Sequence, residues 1–140
     1  MSEMVLTRTP LIALAGPPNV GKSTIFNSLT GLSQHVGNWP GKTVEIKSGS
    51  LQLNGSPALL VDLPGTYSLS ANSPEELTAR DMLLRDHPDL VVVVVNAAVL
   101  ERTLYLLAEI VELGLPVVTA VNMLDVAREE GLRIELEALE

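Results

Sequence analysis

No cysteine occurs in the 140 residues, which excludes disulfides, thiolate metal sites and cysteine nucleophiles. Aromatic residues are nearly as scarce, at one Trp, two Tyr and one Phe, so any core must be aliphatic and rich in Val and Leu. Positive charge is also short: nine Lys and Arg stand against seventeen Asp and Glu, for a net charge of −8. Binding to a nucleic-acid backbone rests on clustered Lys and Arg, so this balance argues against a nucleic-acid partner. It leaves a nucleotide open, because a single nucleotide needs only local donors and a cation. Long apolar runs are missing too. The longest, Leu90–Val95 continuing to Leu100 with Asn96 inside it, falls short of the roughly 20 residues that span a bilayer. Met1–Pro10 lacks the apolar stretch of a signal peptide. What remains is a globular balance, 46% hydrophobic and 19% charged, at a length that suits one domain over residues 1–140.

Strand-like and helix-like segments alternate along the chain. Leu11–Ala15 is a short apolar run that stops at Gly16, as a buried strand should. Ser23–Thr30 reads as a helix ending near Gly31, and Leu32–Lys42 as a loop, being polar and without period. Val44–Ser48 alternates apolar and polar residues, as a half-solvated strand does. Leu51–Leu53 and Leu59–Val61 flank Asn54-Gly55, a hairpin signal, with Ser56-Pro57 expected to lengthen the turn. Ser73 and Pro74 open a helix running to about Arg85. Leu90–Val95 is a further strand, Leu100–Leu113 a helix closed by Gly114, and Leu115–Val121 another strand. From Asp125 the chain reads as helical until Gly131, and the segment beyond is ambiguous. This alternation implies right-handed crossovers and an α/β fold: a mostly parallel, doubly wound sheet with helices on both faces. Ligands of such sheets bind at the carboxyl ends of strands, so residues just after each strand matter most.

Gly16-Pro17-Pro18-Asn19-Val20-Gly21-Lys22-Ser23 fits G-x-x-x-x-G-K-[ST], and it lies between an expected strand and an expected helix. Glycine lets such a loop turn its N–H groups inward at phosphate oxygens, and the helix end adds partial positive charge. Gly16, Pro18, Asn19, Val20, Gly21, Lys22, Ser23 and Thr24 are therefore candidate nucleotide-binding residues. Lys22 would reach the β- and γ-phosphates, and the Ser23 hydroxyl would bind Mg²⁺. The alternative is a Gly-Pro connection that merely joins strand to helix. Asp62-Leu63-Pro64-Gly65 follows an apolar strand. Asp62 would hold Mg²⁺ through a water, and the Gly65 N–H would meet the γ-phosphate. Alone, Asp-x-x-Gly is a common turn; about 40 residues after a phosphate loop it becomes informative.

Asn122-Met123-Leu124-Asp125 ends a late strand and has the Asn-x-x-Asp part of the guanine-reading motif Asn-Lys-x-Asp. A carboxylate at Asp125 can accept from both N1–H and the 2-amino group of guanine, a donor pair adenine lacks. Asn122 would tie this loop to the phosphate loop, and the aliphatic stem of Met123 could cover the base. The alternative is a plain strand-to-helix junction capped by Asp125; its place in a phosphate-loop fold favours guanine. A further guanine motif, usually Ser-Ala-x, is not reached before Glu140, so the base pocket reads as incomplete and the chain as a fragment.

With these residues placed, the chain resembles the amino-terminal G domain of the ferrous iron transport protein B family from about Leu11 to Glu140. The likeness reaches beyond general GTPase motifs. Val36-Gly37-Asn38-Trp39-Pro40-Gly41-Lys42-Thr43-Val44-Glu45 looks like that family's first switch, and Asp62-Leu63-Pro64-Gly65-Thr66-Tyr67-Ser68-Leu69 like its second. Leu100–Leu106 and Asn122–Asp125 continue the match. The resemblance implies a P-loop GTPase of the Ras-like class that binds GTP and GDP and hydrolyses GTP slowly, regulating a membrane ferrous iron transporter from the cytoplasmic face of the bacterial inner membrane. It implies Thr43 as the switch threonine completing Mg²⁺ coordination. It also implies a K⁺ site formed by Asn19 with the carbonyls of Gly37 and Trp39, so Asn19, Lys22, Thr43 and Gly65 become the candidate catalytic set. Loop hydrogen bonding is the other reading of Asn19, and a hydrophobic anchor the other reading of Trp39. The expected partners are the helical and transmembrane regions of the same transporter, while self-association stays open.

Three positions depart from the pattern. Thr66 stands where Ras-like GTPases carry a water-orienting Gln, which implies low intrinsic turnover. Asn96 stands where the family usually has Asp, and Pro17 where many members have Asn. His35 and His87 lack the spacing of an iron site, and Glu129, Glu130, Glu135 and Glu137 read as a solvated surface. Two competing functions share parts of the pattern: a soluble GTPase of ribosome or RNA maturation, which usually needs a basic module, and an ATPase or small-molecule kinase, for which Asn122 and Asp125 would be incidental.

Overall fold

Leu11–Ala15 forms strand β1 at the middle of a six-stranded sheet, seen in a computed structural model that describes residues 9–31, 34–38 and 44–132. Helix α1 (Lys22–Thr30) follows, then β2 (Gln34–Asn38), β3 (Glu45–Leu53) and β4 (Ser56–Asp62). Helix α2 (Pro74–Arg85), β5 (Leu90–Asn96), a 3₁₀ turn at Ala97–Val99, α3 (Leu100–Glu112), β6 (Val117–Asn122) and α4 (Leu124–Glu129) complete the order. The sheet runs β2-β3-β4-β1-β5-β6. β1 pairs in parallel with β4 and β5, and β5 with β6, while β2–β3 and β3–β4 are antiparallel. The expected doubly wound, mostly parallel sheet is therefore present.

The period of two in β1 divides its side chains between two cores. Ala13 and Ala15 face a cluster with Val61, Leu69, Leu83, Val93, Leu106 and Ile110, beneath α2 and α3. Ile12 and Leu14 face Val20, Phe26, Leu60 and Val94, beneath α1. A strand covered on both sides must be apolar throughout, which is why LIALA carries no polar residue. Phe26, the only phenylalanine, is fully buried against this second face, and aliphatic residues fill nearly all the rest.

Two expectations need correction. Part of the stretch read as a loop is strand β2, which pairs along β3 from Gln34–Gly49 to Asn38–Glu45. An edge strand satisfies its main chain from one neighbour and can leave its side chains in solvent, so QHVGN shows no apolar alternation to read. The two short strands read on either side of Gly49 are one, Glu45–Leu53. Its hairpin turns on Asn54-Gly55 alone, both with positive φ (52° and 83°), and Leu53 pairs directly with Ser56. Ser56-Pro57 thus belongs to β4 rather than lengthening the turn. Helix α2 starts as expected: Ser73 Oγ accepts from the Glu76 N–H at 3.1 Å, and Pro74 takes the first turn. The expected switch residues Trp39 and Thr43, and the ambiguous segment after Gly131 from residue 133 on, lie outside the described residues.

Candidate functional site

Parallel pairing of β1 with β4 sets Leu14 opposite Asp62, so both strands end beside the same loop. The ladder continues past the strands: the Leu63 N–H donates to the Leu14 carbonyl at 2.9 Å and the Thr66 N–H to the Gly16 carbonyl at 3.1 Å. Residues 63–66 therefore run alongside the Gly16–Ser23 loop, and the two segments touch at Gly65. A Cβ there would lie 3.0 Å from Pro18 Cα and 3.1 Å from Pro18 N, both backbone atoms that cannot yield easily. Only glycine allows this approach.

The loop itself is held in an uncommon conformation. Asn19 has φ 62°, a left-handed value that Asn tolerates better than most residues, and Gly21 has φ 88°. No side chain caps α1, so no capping group competes for its first amides, as an anion site at a helix start requires. Pro17–Asn19, Gly21–Ser23 and Gly65 line a cavity of about 390 Å³. Gly16 and Val20 support it from behind, Val20 being buried, and the Thr24 side chain is exposed on α1.

Lys22 is buried, and its ammonium donates to Asp62 Oδ1 and to the Leu63 carbonyl at 2.7 Å. The cation expected for phosphate and the carboxylate expected for the metal are thus ion-paired with one another. The Asp62 contact follows from two residues singled out in the sequence. The Leu63 carbonyl does not, because a main-chain acceptor leaves no residue-type signal.

At the other end of the sheet β5 and β6 end in register, Asn96 opposite Asn122. The Asn122 amide donates to the Val20 carbonyl at 2.8 Å, the expected tie between the two loops. It lies so close to Gly21 that a Cβ on Gly21 would collide with Asn122 Nδ2. Met123 caps α4 with a left-handed φ of 63° and without a side-chain bond. Asp125 therefore lies inside the first turn with an exposed side chain, and the bland role of helix cap does not apply to it. Asn96 acts locally, its Oδ1 accepting from the Ala98 N–H at 2.8 Å to cap the 3₁₀ turn. Thr66 is buried and does not line the cavity. Gly37 lies inside β2 opposite Ile46, and it too is absent from the cavity wall.

A family model described as "Ferrous iron transport protein B" matches residues 10–140. Among curated relatives, the Fe(2+) transporter FeoB of Methanocaldococcus jannaschii is 57% identical over 103 residues, which cover 74% of this chain and 15% of the relative. The Fe(2+) transporter FeoB of Escherichia coli (strain K12) is 49% identical over 132 residues, covering 91% of this chain and 17% of the relative. The chain thus spans a small part of the length of the curated relatives it matches. Three solved structures are similar. The cytosolic domain of L. pneumophila FeoB has a TM-score of 0.87 at 47% identity, covering 93% of this chain and 52% of that one. The FeoB G domain of Methanococcus jannaschii has a TM-score of 0.81 at 45% identity, covering 95% and 80%. A variant of S. thermophilus NFeoB bound to GDP has a TM-score of 0.85 at 48% identity, covering 94% and 51%.

Proposed function

This chain belongs to the ferrous iron transport protein B (FeoB) family, with the fold of its G domains, and from that premise we propose that it binds GTP and GDP with magnesium and hydrolyses GTP slowly, as a switch for the membrane part of a ferrous iron transporter. One observation carries the reading: Lys22, Ser23, Gly65 and the left-handed Asn19 line one cavity, and a hydrogen bond from Asn122 joins it to the base-reading loop. The GDP-bound S. thermophilus relative supports a guanine nucleotide as ligand.

In this reading the loop amides and Lys22 bind the β- and γ-phosphates, and Gly65 presents its N–H to the terminal one. Asp125, exposed in the first turn of α4, reads the guanine edge, while Asn122 holds its loop in place. The donors for magnesium fit that ion: the Ser23 hydroxyl and the Asp62 carboxylate are hard oxygens. Among the described residues no three His, Cys, Asp or Glu side chains gather to hold a metal, so nucleotide oxygens and water would complete the shell. When bound, magnesium would neutralise charge on the phosphate oxygens. Low intrinsic turnover follows from Thr66, whose buried side chain leaves no group at that position to orient water. Asn19 would help hold K⁺ beside the phosphates, with Gly37 and Trp39 as partners; Thr43 would join the magnesium shell. The remaining partners would be the helical and transmembrane regions of the transporter, and the working place the cytoplasmic face of the membrane. Among the described residues no helix is long and apolar enough to cross a membrane.

Competitive titration with mant-GTP and mant-ATP tests the base assignment. Tighter GTP binding is expected, and equal or tighter ATP binding would refute it. For the second cation, hydrolysis should be faster in K⁺ than in Na⁺, with the difference lost in Asn19→Ala; equal rates in the wild-type chain would discard it.

A further inference from the structure

We propose that Arg102 and Glu109 are positioning residues for GTP hydrolysis, forming a two-point clasp on α3 that fixes the main chain just after Gly65; the role rests on the nucleotide reading above. The two residues are seven apart, two helical turns, so their side chains leave the same face of α3. The Arg102 guanidinium lies over the Tyr67 ring, 4.2 Å from its centre. Glu109 Oε1 accepts from the Leu69 N–H at 3.0 Å. Between these points the Ser68 hydroxyl donates to Glu76 Oε2 on α2 at 2.8 Å. The Leu69 side chain is buried with Leu106 and Ile110 of α3.

Three consecutive residues are therefore fixed by three different means, directly downstream of the glycine expected to meet the terminal phosphate. Upstream, the same stretch is fixed by the Thr66 bond to Gly16 and by the packing of Gly65 on Pro18. A segment held at one end can pivot; contacts at Thr66, Tyr67 and Leu69 restrict that motion in the conformation seen here. Neither Arg102 nor Glu109 lines the phosphate cavity, so each acts through the main chain it holds. The chemistry suits that role. A carboxylate accepting from a main-chain N–H makes a charge-assisted bond, and a guanidinium over a ring face adds attraction that needs no exact register. Small displacements at a reacting centre cost rate far more than they cost binding.

GTP turnover and mant-GDP affinity, measured on the chain carrying Glu109→Ala, Glu109→Gln or Arg102→Ala, test the clasp. Glu109→Ala should lower kcat about fivefold or more while KM and GDP affinity stay within about twofold. Glu109→Gln keeps an acceptor oxygen and should restore most of the rate. Arg102→Ala should lower kcat about threefold, the weaker effect of an exposed cation–ring contact. Hydrogen exchange adds a readout independent of turnover: the Leu69 amide should lose protection in Glu109→Ala and keep it in Glu109→Gln. An unchanged kcat in Glu109→Ala overturns the proposal. So does a fall in GDP affinity that matches the fall in kcat, or a Gln variant no better than Ala. A wild-type chain that binds no guanine nucleotide would sink the nucleotide reading and the clasp's role with it, an outcome distinct from wild-type activity with indifferent variants.

Discussion

On the phosphate side of the cavity, the loop stands on β1 and β4, whose residues Leu14, Leu60 and Val61 have no measurable exposure. Its position is then repeated in several bonds: Leu63 to Leu14, Thr66 to Gly16, Lys22 to Asp62 and Leu63, and Gly65 against Pro18. On the base side the carrying strand is β6, at the edge of the sheet, where no residue is buried and Val118 is half exposed. The Asn122 amide, donating to the Val20 carbonyl, ties that side to the phosphate loop, with the Met123 side chain beside it at Gly21. The contrast separates two kinds of recognition. In the proposed reading, phosphates would meet main-chain groups whose placement cannot be left to rotamers, and that side is fixed redundantly. The base would meet side chains on a more lightly held loop, and that side would depend on few contacts.

That difference can be broken from either side. The largest effect is expected for Lys22→Ala, which removes the Lys22 ammonium from the cavity. Nucleotide affinity should fall about a hundredfold or more, as the loss of charge-assisted bonds implies, and equally for GTP and GTP analogues with altered bases. A mant-nucleotide titration checks it; near wild-type affinity would end the phosphate-loop argument. Next comes Gly21→Ala, where a side chain would meet both a φ of 88° and the Asn122 amide. Unfolding in urea should show a loss of about 2–3 kcal/mol, from left-handed strain and the displaced tie together. Loss below about half a kcal/mol would mean that the loops are not closely held. Asn122→Ala should cost about 1 kcal/mol of stability, the usual size for one such bond. Its sharper signature is selective: GDP affinity should drop several-fold while pyrophosphate binding holds. Equal losses for both ligands would erase the division between the sides. Smallest of all, Val118→Thr on the exposed edge should stay within about 0.5 kcal/mol in the same urea experiment.

The regions also differed in how readable they were. The phosphate loop, Asp62, Gly65 and the α2 start at Ser73-Pro74 follow from local rules in which residue type dictates backbone; the structure brings the loop and Gly65 to one cavity, sets Asp62 against Lys22 and starts α2 at Pro74. β2 was hidden because an edge strand with solvated side chains needs no apolar alternation, and the continuity of β3 was masked by Gly49 and its polar neighbours. The left-handed φ at Met123 had no residue-type signal, since methionine has no preference for it. The contacts of Arg102 with Tyr67 and Glu109 with Leu69 join positions 35 and 40 residues apart, and only the packing of α3 against the segment after β4 brings them together.

The pairing of Lys22 with Asp62 has an electrical corollary. Each charge is presently the other's counter-ion, so the side-chain charges of the cavity offer an incoming polyanion little unspent attraction, and the loop and helix amides must supply it. A polyanion that captured the ammonium would leave the Asp62 carboxylate without its partner beside the same cavity, and like charges would then face each other. Only a guest that carries positive charge along with its negative charge can exchange partners without leaving one of them bare.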